Sequence, residues 1–126
     1  MGTIKKRLEP IFPGEILLEE FLVPFGISQN KLSRDIDVPL TRINDIIRGK
    51  RGISADTALR LGRYFNTSPD LWLGLQSEYD IRMVKNKLGK QIEHRVIPYR
   101  STNKVPKSHA QHIKRLYYNA SLGIKE

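Results

Sequence analysis

Thr41, Arg42 and Asn44 fall within one helical turn and carry side chains that can read the edges of DNA bases. An Arg guanidinium bonds guanine as a two-pronged fork, an Asn amide does the same with adenine, and a Thr methyl can meet a thymine methyl. Such chemistry needs all three to face outward from the start of a helix whose other face is buried. Ile43, Ile46 and Ile47 supply that inner face on a helix read from about Leu40 to Arg48. Arg48, Lys50 and Arg51 follow at its end and suit phosphate oxygens. Ser28, Gln29, Asn30 and Lys31 open the preceding helix, where they can reach the sugar-phosphate backbone, and Arg34 can add to them.

The elements that would position these residues are helices. A first helix begins after Pro13-Gly14, carries Ile16, Leu17, Phe21 and Val23, and is closed by Pro24 and Gly26. Ser28 caps the second, in which Leu32 and Ile36 share a face and Ser33 is small enough for another helix to approach. Asp37-Val38-Pro39 breaks the chain before the third, and Gly49 ends that helix in a position suited to positive φ. Ser54 caps a fourth with Ala58, Leu61 and Phe65 inside, ended by Asn66-Thr67. Ser68-Pro69-Asp70 opens a fifth, whose apolar stripe is Leu71, Trp72, Leu75, Tyr79, Met83 and Leu88, with Gly89 as its stop. Beyond Gly89, residues 91–100 read as a short helix or an edge strand, and residues 108–120 as an amphipathic helix or a solvated arm.

Two short helices joined by a turn of three or four residues are the signature of a helix-turn-helix, in which the first helix braces and the second lies in the major groove. Any solvated helix face also carries polar residues, so spacing alone leaves the surface reading of each side chain open. Composition narrows the field. The net charge is +9, from 22 Lys and Arg against 13 Asp and Glu, which favours a polyanionic partner. Residues 1–89 carry 14 basic and 11 acidic side chains, whereas residues 90–126 carry 8 and 2, so the tail holds most of the excess. With no cysteine, disulfides and thiolate metal sites are excluded. His109 and His112 lack a third ligand nearby, so neither a metal nor a cofactor is expected. No catalytic motif occurs, and the chain is not expected to be an enzyme. Trp72 reads as core. No apolar run is long enough to span a membrane and no signal-peptide pattern is present, so a cytoplasmic protein is expected.

Together the stretches Pro13-Gly14-Glu15-Ile16-Leu17, Gly26-Ile27-Ser28-Gln29, Val38-Pro39 with Arg42-Ile43, and Ile46-Ile47-Arg48-Gly49-Lys50-Arg51 resemble HigA-type antitoxins, within the Xre/Cro-repressor-like group. The resemblance continues through Ser54–Leu61 and Tyr64-Phe65, and ends with Trp72, Leu75-Gln76 and Tyr79-Asp80, covering roughly residues 10–85. It implies a dimeric repressor of its own operon that neutralises a small RelE-like (HigB-type) ribonuclease toxin. It maps the reading helix onto Leu40–Arg48 and its DNA-facing positions onto Thr41, Arg42 and Asn44. Two residues depart from the pattern: Asp37 stands where the turn often has Gly, and the apolar Leu40 starts the reading helix. Residues 101–126 have no counterpart in it.

The expected fold is therefore all-α, a five-helix lambda-repressor-like helix-turn-helix domain with a basic C-terminal extension. Residues 1–12 form a basic arm, 13–89 the DNA-binding domain and 90–126 an extension that is partly ordered at best. Operator double-stranded DNA, a second copy and a toxin are the expected partners, with a stand-alone repressor as the alternative.

Overall fold

Short helices joined by tight turns build the chain, as seen in the computed structural model, which describes residues 9–99 and 107–123. No strand occurs among them. Helix α1 comprises three consecutive segments: Pro13–Ile16, a π-helical stretch Leu17–Leu22, and Val23–Phe25. Then follow α2 (Gln29–Ile36), α3 (Leu40–Ile47), α4 (Ala55–Phe65), α5 (Pro69–Arg95) and α6 (Lys107–Ser121). These six helices exceed the expected five, because the tail segment left open between helix and arm is helical as α6. The described residues divide into two units, one ending at Gln91 and the other starting at Ile92. No helix among them is long and apolar enough to cross a membrane. The basic run Lys5-Lys6-Arg7, Arg100 and Lys104 lie outside the described residues.

The core belongs to the first unit. Leu17 and Leu22 of α1, Leu32 and Ile36 of α2, Ile43 and Ile46 of α3, and Ala58 and Leu61 of α4 meet around Trp72 of α5, joined by Val38 and Ile53 from the connections. Each fully buried Leu or Ile contributes about 1.5–3 kcal/mol of hydrophobic stabilisation. Phe21 lies 4.9 Å from Trp72 and 4.8 Å from Phe65, ring centroid to centroid. The Trp72 indole N–H donates to Thr67 Oγ1 at 3.0 Å, so its polar atom is satisfied inside the core.

Helix starts follow local chemistry. Ser28, Ser54 and Ser68 each accept the backbone N–H three residues on, from Lys31, Thr57 and Leu71. Helix ends are equally local. At Gly26, Asp37 and Gly49 the chain turns left-handed and two backbone N–H groups fold back on the last helical turn. At Gly49, for example, Gly49 N–H donates to Ile46 O and Lys50 N–H to Asp45 O, the pairing of a Schellman motif. Asn66 is also left-handed, with Thr67 N–H donating to Gly62 O. Asp37, at φ 57°, takes a conformation that glycine adopts freely but that Asp and Asn also tolerate. Ser33 is half-buried, and its hydroxyl donates to Val38 O at 2.6 Å, closing the same turn.

Four details differ from the sequence reading. Pro24 lies inside the last turn of α1 rather than ending it, and Gly26 alone makes the exit. In the π-helical stretch before it, Val23 N–H reaches back to Leu18 O, and this wider turn accommodates a ring that would press on the carbonyl four residues back in an α-helix. Helix α3 ends at Ile47, with Arg48 as its cap. Gly89 does not stop α5, which runs to Arg95, and residues 91–95 are part of it. One interior glycine costs only about 1 kcal/mol, whereas Pro98 disfavours helical backbone at the residue before it. Leu71 and Leu88 are exposed; Leu73 packs on the core instead, because burying Trp72 sets the rotation of α5.

Gly14 fixes how α1 meets α3. A Cβ placed on it would lie 1.8 Å from the carbonyl oxygen of Ile46 and 2.5 Å from the carbonyl carbon. Both atoms are backbone, so no rotamer change relieves the clash. Gly14→Ala is expected to lower stability by about 3 kcal/mol or somewhat more, since even ordinary overpacking removes 1–3. A urea midpoint unchanged from the parent would show that the two helices do not meet here.

Candidate nucleic-acid interface

The amphipathic division of α3 is sharp. Ile43 and Ile46 are buried and Ile47 is half-buried. Thr41 is exposed, while Arg42 and Asn44 are half-buried. The Arg42 guanidinium is held: its Nη1 donates to Asp56 Oδ2 at 3.2 Å, at the start of α4. Leu40 keeps 38% of its surface exposed at the start of the helix.

Beyond α3 the loop carrying Arg48, Lys50 and Arg51 has a defined path. All three side chains are exposed, and none makes an ion pair among the described residues. Gly49 turns the chain left-handed, and Lys50 and Arg51 N–H both donate to Asp45 O, at 2.8 and 3.2 Å. Farther along, Ile53 N–H donates to Gln76 Oε1 at 2.8 Å, and the other end of the same amide donates to Asp80 at 2.9 Å. Gln76 thus ties the loop to α5.

At the start of α2, Ser28 is occupied as a cap, Gln29 is half-buried, and Asn30 and Lys31 are exposed. Lys31 is not an unattached cation: its ammonium lies 2.9 Å from Asp35, one turn on. Asp35 also accepts the Tyr64 hydroxyl at 2.5 Å. The Tyr64 hydrogen bond first, then that of Lys31, holds the Asp35 carboxyl below its usual pKa. In return, each partner's own hydrogen bond to Asp35 pushes it up, the Tyr64 phenol and the Lys31 ammonium alike.

Sequence reasoning missed the residues that brace these groups. Arg60 of α4 donates through Nη1 to the carbonyls of Ile36 and Asp37, at 2.9 and 3.1 Å, and through Nε to Asp56. The Asp56–Arg60 spacing of four was a readable helix pair. Its link to the turn, 24 residues back, left no local signal. The roles of Gln76 and Tyr64 likewise depend on partners more than twenty residues away.

Tyr64→Phe tests the Asp35 link through pH. A depressed carboxylate pKa stabilises the fold above the ordinary value of about 4, and that contribution is lost as pH falls through and below it. The variant is expected to be less stable than the parent at neutral pH, with the gap narrowing as Asp35 becomes protonated. A gap of constant size down the acid range would mean that the hydroxyl acts elsewhere.

Comparison with known proteins gives consistent results. Residues 18–72 match the helix-turn-helix family. The chain is 46% identical over 94 residues to virulence-associated protein I of Dichelobacter nodosus, a match covering 75% of this chain and 85% of that one. Among solved structures it is similar to the Pseudomonas aeruginosa antitoxin HigA with the higBA promoter, at 52% identity and TM-score 0.70, covering 73% of this chain and 100% of that one. It is also similar to a Pseudomonas aeruginosa chain in complex with its 18bp operator DNA, at 50% identity and TM-score 0.71, covering 75% of this chain and 100% of that one.

Proposed function

The chain belongs to the HigA-type branch of the Xre-like helix-turn-helix family, a class that acts by binding DNA rather than by catalysis, and on that premise we propose that it is an operator-binding antitoxin. The observation that carries this reading is full-length coverage, at 52% identity, of an antitoxin solved with its promoter. Residues 13–89 act as the DNA-binding domain, flanked by a basic arm and a basic extension. Helix α2 braces across the backbone and α3 enters the major groove. Thr41, Arg42 and Asn44 read bases. Ser28, Gln29, Asn30, Lys31, Arg48, Lys50 and Arg51 hold the backbone, Lys31 only by sharing its charge with Asp35. Two copies bind a palindromic operator with their reading helices about 34 Å apart, one turn of DNA, and so repress the operon that encodes them. A RelE-like ribonuclease toxin is the protein partner, neutralised by direct binding.

Two substitutions separate the proposed contact types. Arg42→Ala is expected to weaken operator binding by roughly 1–3 kcal/mol and to relax base preference at one position. Lys50→Ala is expected to weaken binding to every duplex alike and to reduce the salt slope by about one unit. Fluorescence-anisotropy titrations across a salt series measure both. An unaltered base preference removes Arg42 from the reading set, and an unaltered slope removes Lys50 from the phosphate set.

Toxin neutralisation is read by growth. The small reading frame adjoining this gene is expressed alone and together with the full chain. Arrest that this chain relieves supports the antitoxin. A harmless neighbour, or arrest that persists despite soluble chain, leaves a stand-alone operator-binding repressor.

A further inference from the structure

Asp56 bonds Arg42, a proposed base reader, and is negatively charged, which calls for an explanation. A carboxylate beside a phosphate-rich partner weakens sequence-independent attraction. Its stabilising value is also small: its side chain is 54% exposed, and exposed ion pairs contribute little to folding. What distinguishes it is its partners. Asp56 Oδ2 accepts Arg42 Nη1 at 3.2 Å and Arg60 Nε at 3.3 Å, and Oδ1 accepts Arg60 Nε at 3.2 Å. Arg60 is anchored in turn, with Nη1 on the carbonyls of Ile36 and Asp37. A continuous polar chain therefore runs from the turn between α2 and α3, through α4, to the third residue of α3.

Guanidinium chemistry gives this chain a use. An Arg side chain has large rotamer entropy but a planar head with five N–H donors in fixed directions. Holding one donor leaves a full edge of the head free and restricts where that edge points. Base reading by a fork needs such restriction, since both prongs must meet O6 and N7 of one guanine. Phosphate binding does not need it, and the exposed Arg48 and Arg51 have no comparable tether among the described residues.

We propose that Asp56, braced by Arg60, is a positioning residue that presents the Arg42 guanidinium to a base edge, giving up some general DNA affinity for discrimination at one base pair. The inference rests on Arg42 being a base-reading residue. Asp56 itself touches no base in this scheme. Its effect passes through Arg42 alone.

The test selects preferred duplexes from a randomised double-stranded DNA library with four full-length chains: the parent, Arg42→Ala, Asp56→Asn, and the double variant. The position whose preference disappears in Arg42→Ala is the column that Arg42 reads. In Asp56→Asn, preference in that column is expected to fall roughly five- to tenfold, other columns are expected to hold, and affinity for unselected duplex is expected to rise. In the Arg42→Ala background, Asp56→Asn is expected to change that column no further. The site is exposed and the Ser54 cap is retained, so the variant keeps the fold. A uniform loss of affinity, with column preference intact, is what a purely structural role in starting α4 predicts and would overturn the proposal. A column sensitive to Arg42→Ala but indifferent to Asp56→Asn overturns the positioning role and leaves Arg42 as a reader. If neither single variant alters any column, the reading of Arg42 falls, and the proposal with it.

Discussion

The backbones of α1 and α3 run so close at Gly14 and Ile46 that no side chain fits between them. Much of the seating of α3 follows from this contact. With the Ile46 carbonyl against Gly14, Ile43 and Ile46 are driven fully into the core, and the residues at the other side of α3 are left toward solvent. A helix of eight residues has little stability by itself, and its position must come from such packing. Leu17 and Leu22 on α1 complete the same surface from below. The outward placement of Thr41 is thus a consequence of a glycine far away in sequence.

A second constraint is the shortness of the connections. Between α1 and α5 the chain turns repeatedly, and each helix end exposes carbonyls that need partners. Left-handed residues at Gly26, Asp37, Gly49 and Asn66 let the following N–H groups fold back on those carbonyls. Side chains from other helices then secure the turns: Arg60 clasps the one between α2 and α3, and Gln76 clasps the loop after α3. Among the described residues no buried side-chain polar atom is left without a partner.

What the sequence made legible follows this division between local and distant physics. The serine caps, the left-handed glycines and the inner isoleucines of α3 depend on residues within a few positions, and all were readable. Asp37 was visible as a departure and adopts the conformation that its side chain tolerates. The exit of α5 was misjudged because a glycine signal was weighed above a later proline. Leu71 was misplaced because neighbouring apolar residues fit two rotations of one helix, and only the burial of Trp72 chooses between them. In the candidate site, the residue types on α3 were readable from spacing, but the tether on Arg42 was not. Asp56 lies fourteen residues away in another helix, and its readable pairing with Arg60 says nothing of Arg42.

Because every reversal up to α5 is sealed by atoms within six positions of one another, the domain closes few long loops as it forms. Chains dominated by such short-range contacts fold quickly, on the order of microseconds to milliseconds. The polar clasps are different. Arg60 to Ile36, Gln76 to Ile53 and Tyr64 to Asp35 each join residues more than twenty apart, so they can form only once the helices have met. Late in assembly and exposed or only partly buried, these links contribute little to closing the core and instead set the final seating of the turn and the reading helix on an apolar centre already formed.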